Sequence, residues 1–395
     1  MVWDHRFEVA VSGVGISKIT RSSETPLAAL AVDAVQKAVA DSGLKMSDID
    51  GLVTYAELPA SGHAAVDGLT MVSTNAMMTA LKLPNLRWHM QNETVNIGGA
   101  TQLAVNALIA GACDYAVVFR ALHNPPGQYQ NLPGKYAQGG SQFTAPYGFG
   151  GPAQGLAVEY TRYLERFGQD REKTAALPLA QRRHANLTPE AYFYDTPLTP
   201  DDYHNSRMVA WPYRLYDCDI PVQGATAFVL TRTERARDLK PKPALLAGYG
   251  QRIQVELNGR ISSRADYMGA GSSSSNLTWE RAGLGPKDVD VAQIYDGFVG
   301  SAIYGFEAYG FCKEGEALDY IQDGRVELDG ELPVNTFGGS LSAGRLHGGW
   351  HIIEGALQAS GRGGARQVKD AEVSFVGASG ANINATTFIF VPEPY

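Results

Sequence analysis

The chain has 395 residues, 44% of them hydrophobic, and a formal net charge of −8 at pH 7. That length can bury a large core in about two domains, and an acidic balance without any basic run argues against nucleic acid as a partner. No run of about 18 apolar residues could span a membrane, and Met1-Val2-Trp3-Asp4-His5-Arg6 lacks the apolar centre of a signal peptide.

In chain order, the spacing predicts a strand over 7–14 and a helix over 26–42 with apolar positions at helical period. A strand at 51–55, a helix at 71–81, a strand at 86–91 and a small-residue helix at 99–111 follow. The near-continuous apolar run at 115–119 reads as a buried parallel strand. From 122 to 151 the period stops in a stretch rich in Gly, Pro, Gln and aromatics. Such stretches inside a compact domain usually line or cover a pocket. Helices resume at 153–167 and 171–186. A second irregular stretch, 187–222, carries Tyr192, Tyr194, Tyr203, Trp211, Tyr213 and Tyr216. These suit either a flat hydrophobic substrate site or a subunit interface. A strand at 224–231 closes the first half. Lys240-Pro241-Lys242-Pro243 marks a boundary between residues 1–239, with an insertion at about 122–222, and residues 240–395. Ser272 to Ser275 reads as a flexible loop, and a strand at 386–391 ends the second half.

Two echoes point to duplication. Ser42-Gly43-Leu44 through Asp48-Ile49-Asp50 to Tyr55 returns about 240 residues later as Ala282-Gly283-Leu284 through Asp288-Val289-Asp290 to Tyr295. Asn96-Ile97-Gly98-Gly99 returns at nearly the same offset as Asn335-Thr336-Phe337-Gly338-Gly339, an Asn and paired glycines expected just before a helix in each half. A constant offset implies a repeated α/β unit, with the functional site where the halves meet.

The motifs carry a resemblance. Asn335-Thr336-Phe337-Gly338-Gly339, then Gly344-Arg345-Leu346-His347-Gly348, resembles the thiolase segment N-x-x-G-G followed by G-H-P-x-G. Tyr295-Asp296-Gly297-Phe298 stands where thiolases carry N-E-A-F and sterol-carrier thiolases H-D-C-F. Gly310-Phe311-Cys312-Lys313-Glu314-Gly315-Glu316 and Gln142-Phe143-Thr144-Ala145-Pro146-Tyr147-Gly148 are similar to the sterol-carrier branch. The resemblance covers essentially the whole chain. It implies an α/β class duplicated thiolase fold of layered αβαβα type, with long insertions in the first half.

The thiolase chemistry does not carry over. Aligning Gly98-Gly99 with the glycines after the nucleophilic Cys leaves Thr94 or Val95 in its place. Arg345 replaces the G-H-P histidine, and the C-terminal Cys position falls near Phe375. Cys113, Cys218 and Cys312 are expected to be structural, in a reducing cytoplasm. The chain instead resembles the cysteine-less branch that cleaves steroid and bile-acid side chains by retro-aldol reaction, sharing Tyr295-Asp296 and a Ser-x-x-x-x-His-Gly segment at Ser342 to Gly348. That branch commonly has a second Tyr where Arg345 stands.

A retro-aldol on a β-hydroxyacyl-CoA needs a base for the hydroxyl proton and donors for the thioester enolate. Tyr295 is the candidate base, because a cation within about 4–6 Å lowers a phenol's pKa from near 10. Arg345 is expected to supply that cation, to pair with Asp296, or to hold a CoA phosphate. His347 and backbone N–H groups of Gly338-Gly339 are expected at the enolate oxygen. Gly338, Gly339 and Ser342 are the expected pantetheine contacts. The resemblance implies a lyase, a homodimer and a separate zinc-ribbon/OB-fold partner protein. No cofactor is expected beyond the coenzyme A carried by the substrate. A thiolase-like acyltransferase using Thr94, and a non-catalytic acyl-CoA-binding subunit of a hydratase or aldolase complex, stay open beside it.

Overall fold

The computed structural model describes residues 4–21, 24–55, 72–92, 96–123, 142–143, 145–149, 151–253, 268–382 and 384–395. The first half contains β1 (Val9–Ile16), α1 (Leu27–Ser42), β2 (Gly51–Tyr55), α2 (Thr74–Leu81), β3 (Trp88–Asn92), α3 (Asn96–Ile109) and β4 (Tyr115–His123). It continues through α4 (Pro152–Phe167), α5 (Ala176–Ala185), α6 (Pro200–His204), the small hairpin β5 (Met208–Ala210) and β6 (Tyr213–Arg214), then β7 (Gln223–Arg232) and α7 (Thr233–Ala236). The second half contains β8 (Ala244–Ile253), α8 (Gly269–Ala282), β9 (Val291–Ile294), α9 (Val299–Ala308), α10 (Ala317–Tyr320), α11 (Gly339–Ser342), α12 (Gly349–Ala359), β10 (Ser374–Gly377) and β11 (Asn384–Val391).

Nine strands follow one another in the order β3-β2-β4-β7-β1-β8-β11-β10-β9. From its two ends this order reads alike. β2 pairs with β4 in parallel, β4 with β7 and β7 with β1 antiparallel. β9 pairs with β10 in parallel, β10 with β11 and β11 with β8 antiparallel. Even β3 has a counterpart, a parallel bridge from Ala292 to Val334. The halves join where Ala10 and Val11 of β1 pair with Leu245 and Ala244 of β8.

Side-chain alternation along the strands creates the layers. In β7, Ala227 and Val229 face α1, whereas Phe228 and Leu230 face a central core. In β11, Phe388 and Phe390 join that same central core, and Ile389 and Val391 face the other way. α3 and α12 fill the centre with Ile97, Ala100, Ala104, Trp350, Ile353 and Ala356. The arrangement is αβαβα, with α1 and α8 outside.

A further echo sits in the strands themselves. Gly13 and Gly15 of β1 lie against α1, and Gly248 and Gly250 of β8 lie against α8. A Cβ on Gly15 would stand 2.1 Å from the Ala34 carbonyl oxygen, and one on Gly250 would stand 2.0 Å from that of Ser274. Glycine is required because helix backbone rides directly on strand backbone.

Several expectations shift. β4 continues to His123, which takes in Arg120. Ser272 to Ser275 is not a loop but part of α8, where Ser274 Oγ meets Thr387 Oγ1 at 2.9 Å and Ser275 Oγ donates to the Ala308 carbonyl at 3.2 Å. Those tertiary partners outweigh serine's weak helix propensity. In the second echo, Gly98 and Gly99 lie inside the first turn of α3, whereas Gly338 caps the short α11. Thr94, Val95 and most of 122–151 lie outside the described residues. Among the described residues no helix is long and apolar enough to cross a membrane.

Candidate active site

Four segments meet around the turn that follows β9. The Tyr295 N–H donates to the Gly377 carbonyl at 2.9 Å, tying the turn to the end of β10. Gly297 allows a tight reversal, and the Tyr295 phenol folds over it: a Cβ on Gly297 would stand 2.8 Å from the Tyr295 hydroxyl. Tyr295 is half-buried, with its ring 5.6 Å from that of His351.

Asp296 is fully buried. Its carboxylate accepts from the Ser340 N–H at 2.8 Å and the Leu341 N–H at 3.2 Å, capping the first turn of α11. It also lies 3.0 Å from His351 Nε2. Asp296 thus positions α11 and α12 against the Tyr295 turn, and it is not the partner of Arg345. That partner is Asp219, whose carboxylate lies 3.4 Å from Arg345 Nε. Asp219 is itself placed by the site, since its N–H donates to the Gly297 carbonyl at 3.2 Å. One residue on, the Ile220 N–H donates to the Ser340 carbonyl, and the Arg345 N–H donates back to the Ile220 carbonyl, both at 3.1 Å. Arg345 follows α11, and the 219–220 segment links it to the Tyr295 turn.

The loop from Gly344 to Gly348 is conformationally unusual. Gly344 has φ 126°, His347 φ 48° and Gly348 φ 84°. A left-handed conformation at a histidine costs energy and persists only where neighbours fix it. Gly348 packs against the Ala378 carbonyl, adjacent to the residue that binds the Tyr295 N–H. His347 Nδ1 lies 3.0 Å from Arg120 Nη2. Burial and the Arg345 and Arg120 guanidiniums hold the His347 pKa well below its usual range. The imidazole is therefore neutral at neutral pH.

The glycines and serine expected along pantetheine lie against α5 and the Tyr295 turn. Gly338 lies against Ala185 of α5 and Gly339 against Asp296 and Gln181. The Gly338 N–H donates to the Asn335 carbonyl. Ser342 is buried, and its Oγ accepts from Arg182 Nε at 3.1 Å. The aromatic stretch divides: Tyr203 and Tyr213 are buried in the core, while Tyr192, Tyr194 and Trp211 are exposed.

Three residues that sequence reasoning passed over are Arg120, Asp219 and His351. Only Arg120 left a signal, a charge directly following an apolar strand run. The thiols are inert by comparison. Burial pushes Cys113 up to about 12 and raises Cys218 and Cys312 as well, and Phe375 is buried in a stack on Trp279. The described part of the site therefore offers a phenol, a guanidinium and a neutral imidazole, suited to proton transfer and oxyanion stabilisation.

Comparison with known proteins agrees with this frame. Residues 256–391 match the thiolase C-terminal domain-like family. The chain is 32% identical over 374 residues to the 17-hydroxy-3-oxo-4-pregnene-20-carboxyl-CoA lyase of Mycobacterium tuberculosis, covering 90% of this chain and 92% of that protein. It is 32% identical over 353 residues to the steroid side-chain-cleaving aldolase of Thermomonospora curvata, covering 86% and 87% respectively. Its fold matches that of the Ltp2-ChsH2(DUF35) aldolase with a TM-score of 0.85 and 30% identity, covering 98% of each chain. The chain belongs to the thiolase superfamily, within the thiolase-like branch of steroid side-chain-cleaving aldolases.

Proposed function

We propose that this protein is a carbon–carbon lyase that cleaves a β-hydroxyacyl-CoA by retro-aldol reaction. The acyl part is a steroid or bile-acid side chain with a 17-hydroxyl, and the products are a ketone and a shortened acyl-CoA such as propionyl-CoA. The observation that carries this reading is that the turn bearing Tyr295 and the loop bearing Arg345 and His347 meet at Gly377-Ala378 and Asp219-Ile220, in a thiolase frame whose second-half cysteine position falls at the buried Phe375.

Tyr295, as phenolate, takes the proton of the β-hydroxyl. The oxygen's electron pair forms the ketone as the Cα–Cβ bond breaks. The released pair passes to the thioester as an enolate, whose oxygen accepts a hydrogen bond from His347. The Tyr295 proton then returns to the α-carbon, leaving the shortened thioester. Arg345 favours the phenolate electrostatically, and Asp219 fixes the guanidinium. Asp296 acts through position alone. Base catalysis of this kind contributes on the order of 10²–10⁴-fold. No cofactor is required beyond the coenzyme A of the substrate.

The protein is further proposed to work as a cytoplasmic homodimer with a small separate zinc-ribbon/OB-fold partner. Strand β3 at the sheet's end, with His89 and Met90 exposed, supports pairing with a second copy. Three free thiols support a reducing compartment.

The test is mass spectrometry of the protein, alone and co-expressed with its genomic neighbours, given a tertiary β-hydroxyacyl-CoA and no added CoA. Ketone and shortened acyl-CoA are expected. Products that appear only with added CoA would identify an acyltransferase. Thermal protection without turnover, even with the neighbours present, would identify a binding subunit.

A further inference from the structure

We propose that Arg120, a residue remote from the second-half motifs, is a positioning residue of the site. It fixes His347 as the neutral Nε2–H tautomer, and so makes that nitrogen the hydrogen-bond donor to the reacting oxygen. The chemistry rests on the aldolase reading above, but the placement of the proton does not.

Arg120 lies near the end of β4 and is 1% exposed. Removing a guanidinium from water is costly unless its donors find partners. Here Nη1 donates to the Tyr55 carbonyl at the end of β2, and the cation sits 4.5 Å from the Tyr55 ring centroid. Nη2 reaches His347 Nδ1 at 3.0 Å. A guanidinium can only donate. Nδ1 must therefore present its lone pair, and in a neutral ring the proton must reside on Nε2. An imidazolium would set a proton on Nδ1 against the Arg120 donor.

Among the described residues, the charged groups that shift His347 act in one direction. Arg120 approaches from β4 and Arg345 from His347's own loop, and both oppose a positive ring. Asp219, the nearest carboxylate in this chain of contacts, is engaged with Arg345. Tyr55 stands behind Arg120. The strained His347 backbone, bracketed by Gly344 and Gly348, holds the imidazole at this contact. The donor is thus set by one half of the duplicated fold and carried by the other.

The test is NMR of protein labelled with ¹⁵N at histidine, read for tautomer and titration, with cleavage kinetics beside it. In the natural sequence His347 should appear as the neutral Nε2–H form at pH 7 and take up its second ring proton only well below pH 6.5. In Arg120→Leu its pKa should rise, although burial and Arg345 still hold it below the ordinary value, and both tautomers should be populated. Cleavage kcat should fall at least tenfold at pH 7 with KM within twofold, and the acidic limb of the rate profile should move to higher pH than in the natural sequence. Arg120→Lys, still a cationic donor, should restore the tautomer and part of the rate. An Nδ1–H form or an imidazolium at pH 7 in the natural sequence overturns the proposal, even if the variants do not fold. So does an Arg120→Leu titration identical to that of the natural sequence. Absence of cleavage by the natural sequence would sink the aldolase reading while leaving the NMR result to decide the role of Arg120.

Discussion

Tyr295→Phe removes one oxygen from a ring whose position is fixed by its backbone bond to Gly377 and its fold over Gly297. The variant should lose cleavage by on the order of 10²–10⁴-fold yet still be stabilised by acyl-CoA in a thermal melt. Retention of more than a tenth of the rate would remove Tyr295 from the base role. Asp296→Ala acts differently, because it strands two buried N–H groups and the His351 donor. It should cost on the order of 3–5 kcal/mol in urea unfolding; a loss under about 1 kcal/mol would contradict the positioning role. A pH dependence follows from His347 and His184, whose pKa values burial lowers. Each takes up its proton at about 6.5 when unfolded and only at lower pH when folded, so below 6.5 the unfolded state binds more protons. Stability is complete above that pH and falls by up to about 1.4 kcal/mol per unit and per site as pH drops toward the folded pKa. Urea midpoints at pH 7 and pH 5.5, compared with those of His184→Gln, check the sign and the size. At this scale Tyr295, Arg345 and His347 could be nominated as candidates because they stand in motifs. Asp219 was not, since nothing in its spacing announces an ion pair made 126 residues further along the chain.

The glycines of β1 and β8 are a feature of elements. Gly15→Ala and Gly250→Ala each push a methyl into a helix carbonyl oxygen, Ala34 in one half and Ser274 in the other. Each should destabilise by about 1–3 kcal/mol, and by similar amounts, since the two contacts are equivalent. A calorimetric melt of both variants would show whether they are. Most elements could be placed from hydrophobic period, with boundaries displaced by a few residues. The failures share one cause. The serines of α8 looked like a loop because local propensity ignores Thr387, which binds both Ser274 and Thr278 from β11. The end of β4 was set too early because Arg120 interrupts an apolar run, although its burial is satisfied by Tyr55 and His347.

Across the molecule, the duplication was readable because two echoes keep one offset, and the strand order repeats it. What no periodicity could show is how the halves share the site, which depends on contacts between loops distant in sequence. If β3 pairs with a second copy, Met90→Asp, at a residue 44% exposed, should shift the mass in sedimentation from dimer toward monomer while leaving the circular dichroism spectrum unchanged. An unchanged dimer would move the interface elsewhere.

The junction between Ala10-Val11 of β1 and Ala244-Leu245 of β8 has a genetic consequence. The covalent link at Lys240–Pro243 runs beside a strand pairing between the two halves. A gene cut at that link should yield two co-expressed fragments that copurify and regain cleavage only as a pair. The second fragment carries Tyr295, Arg345 and His347, but Arg120 and Asp219, which contact His347 and Arg345, are inherited with the first.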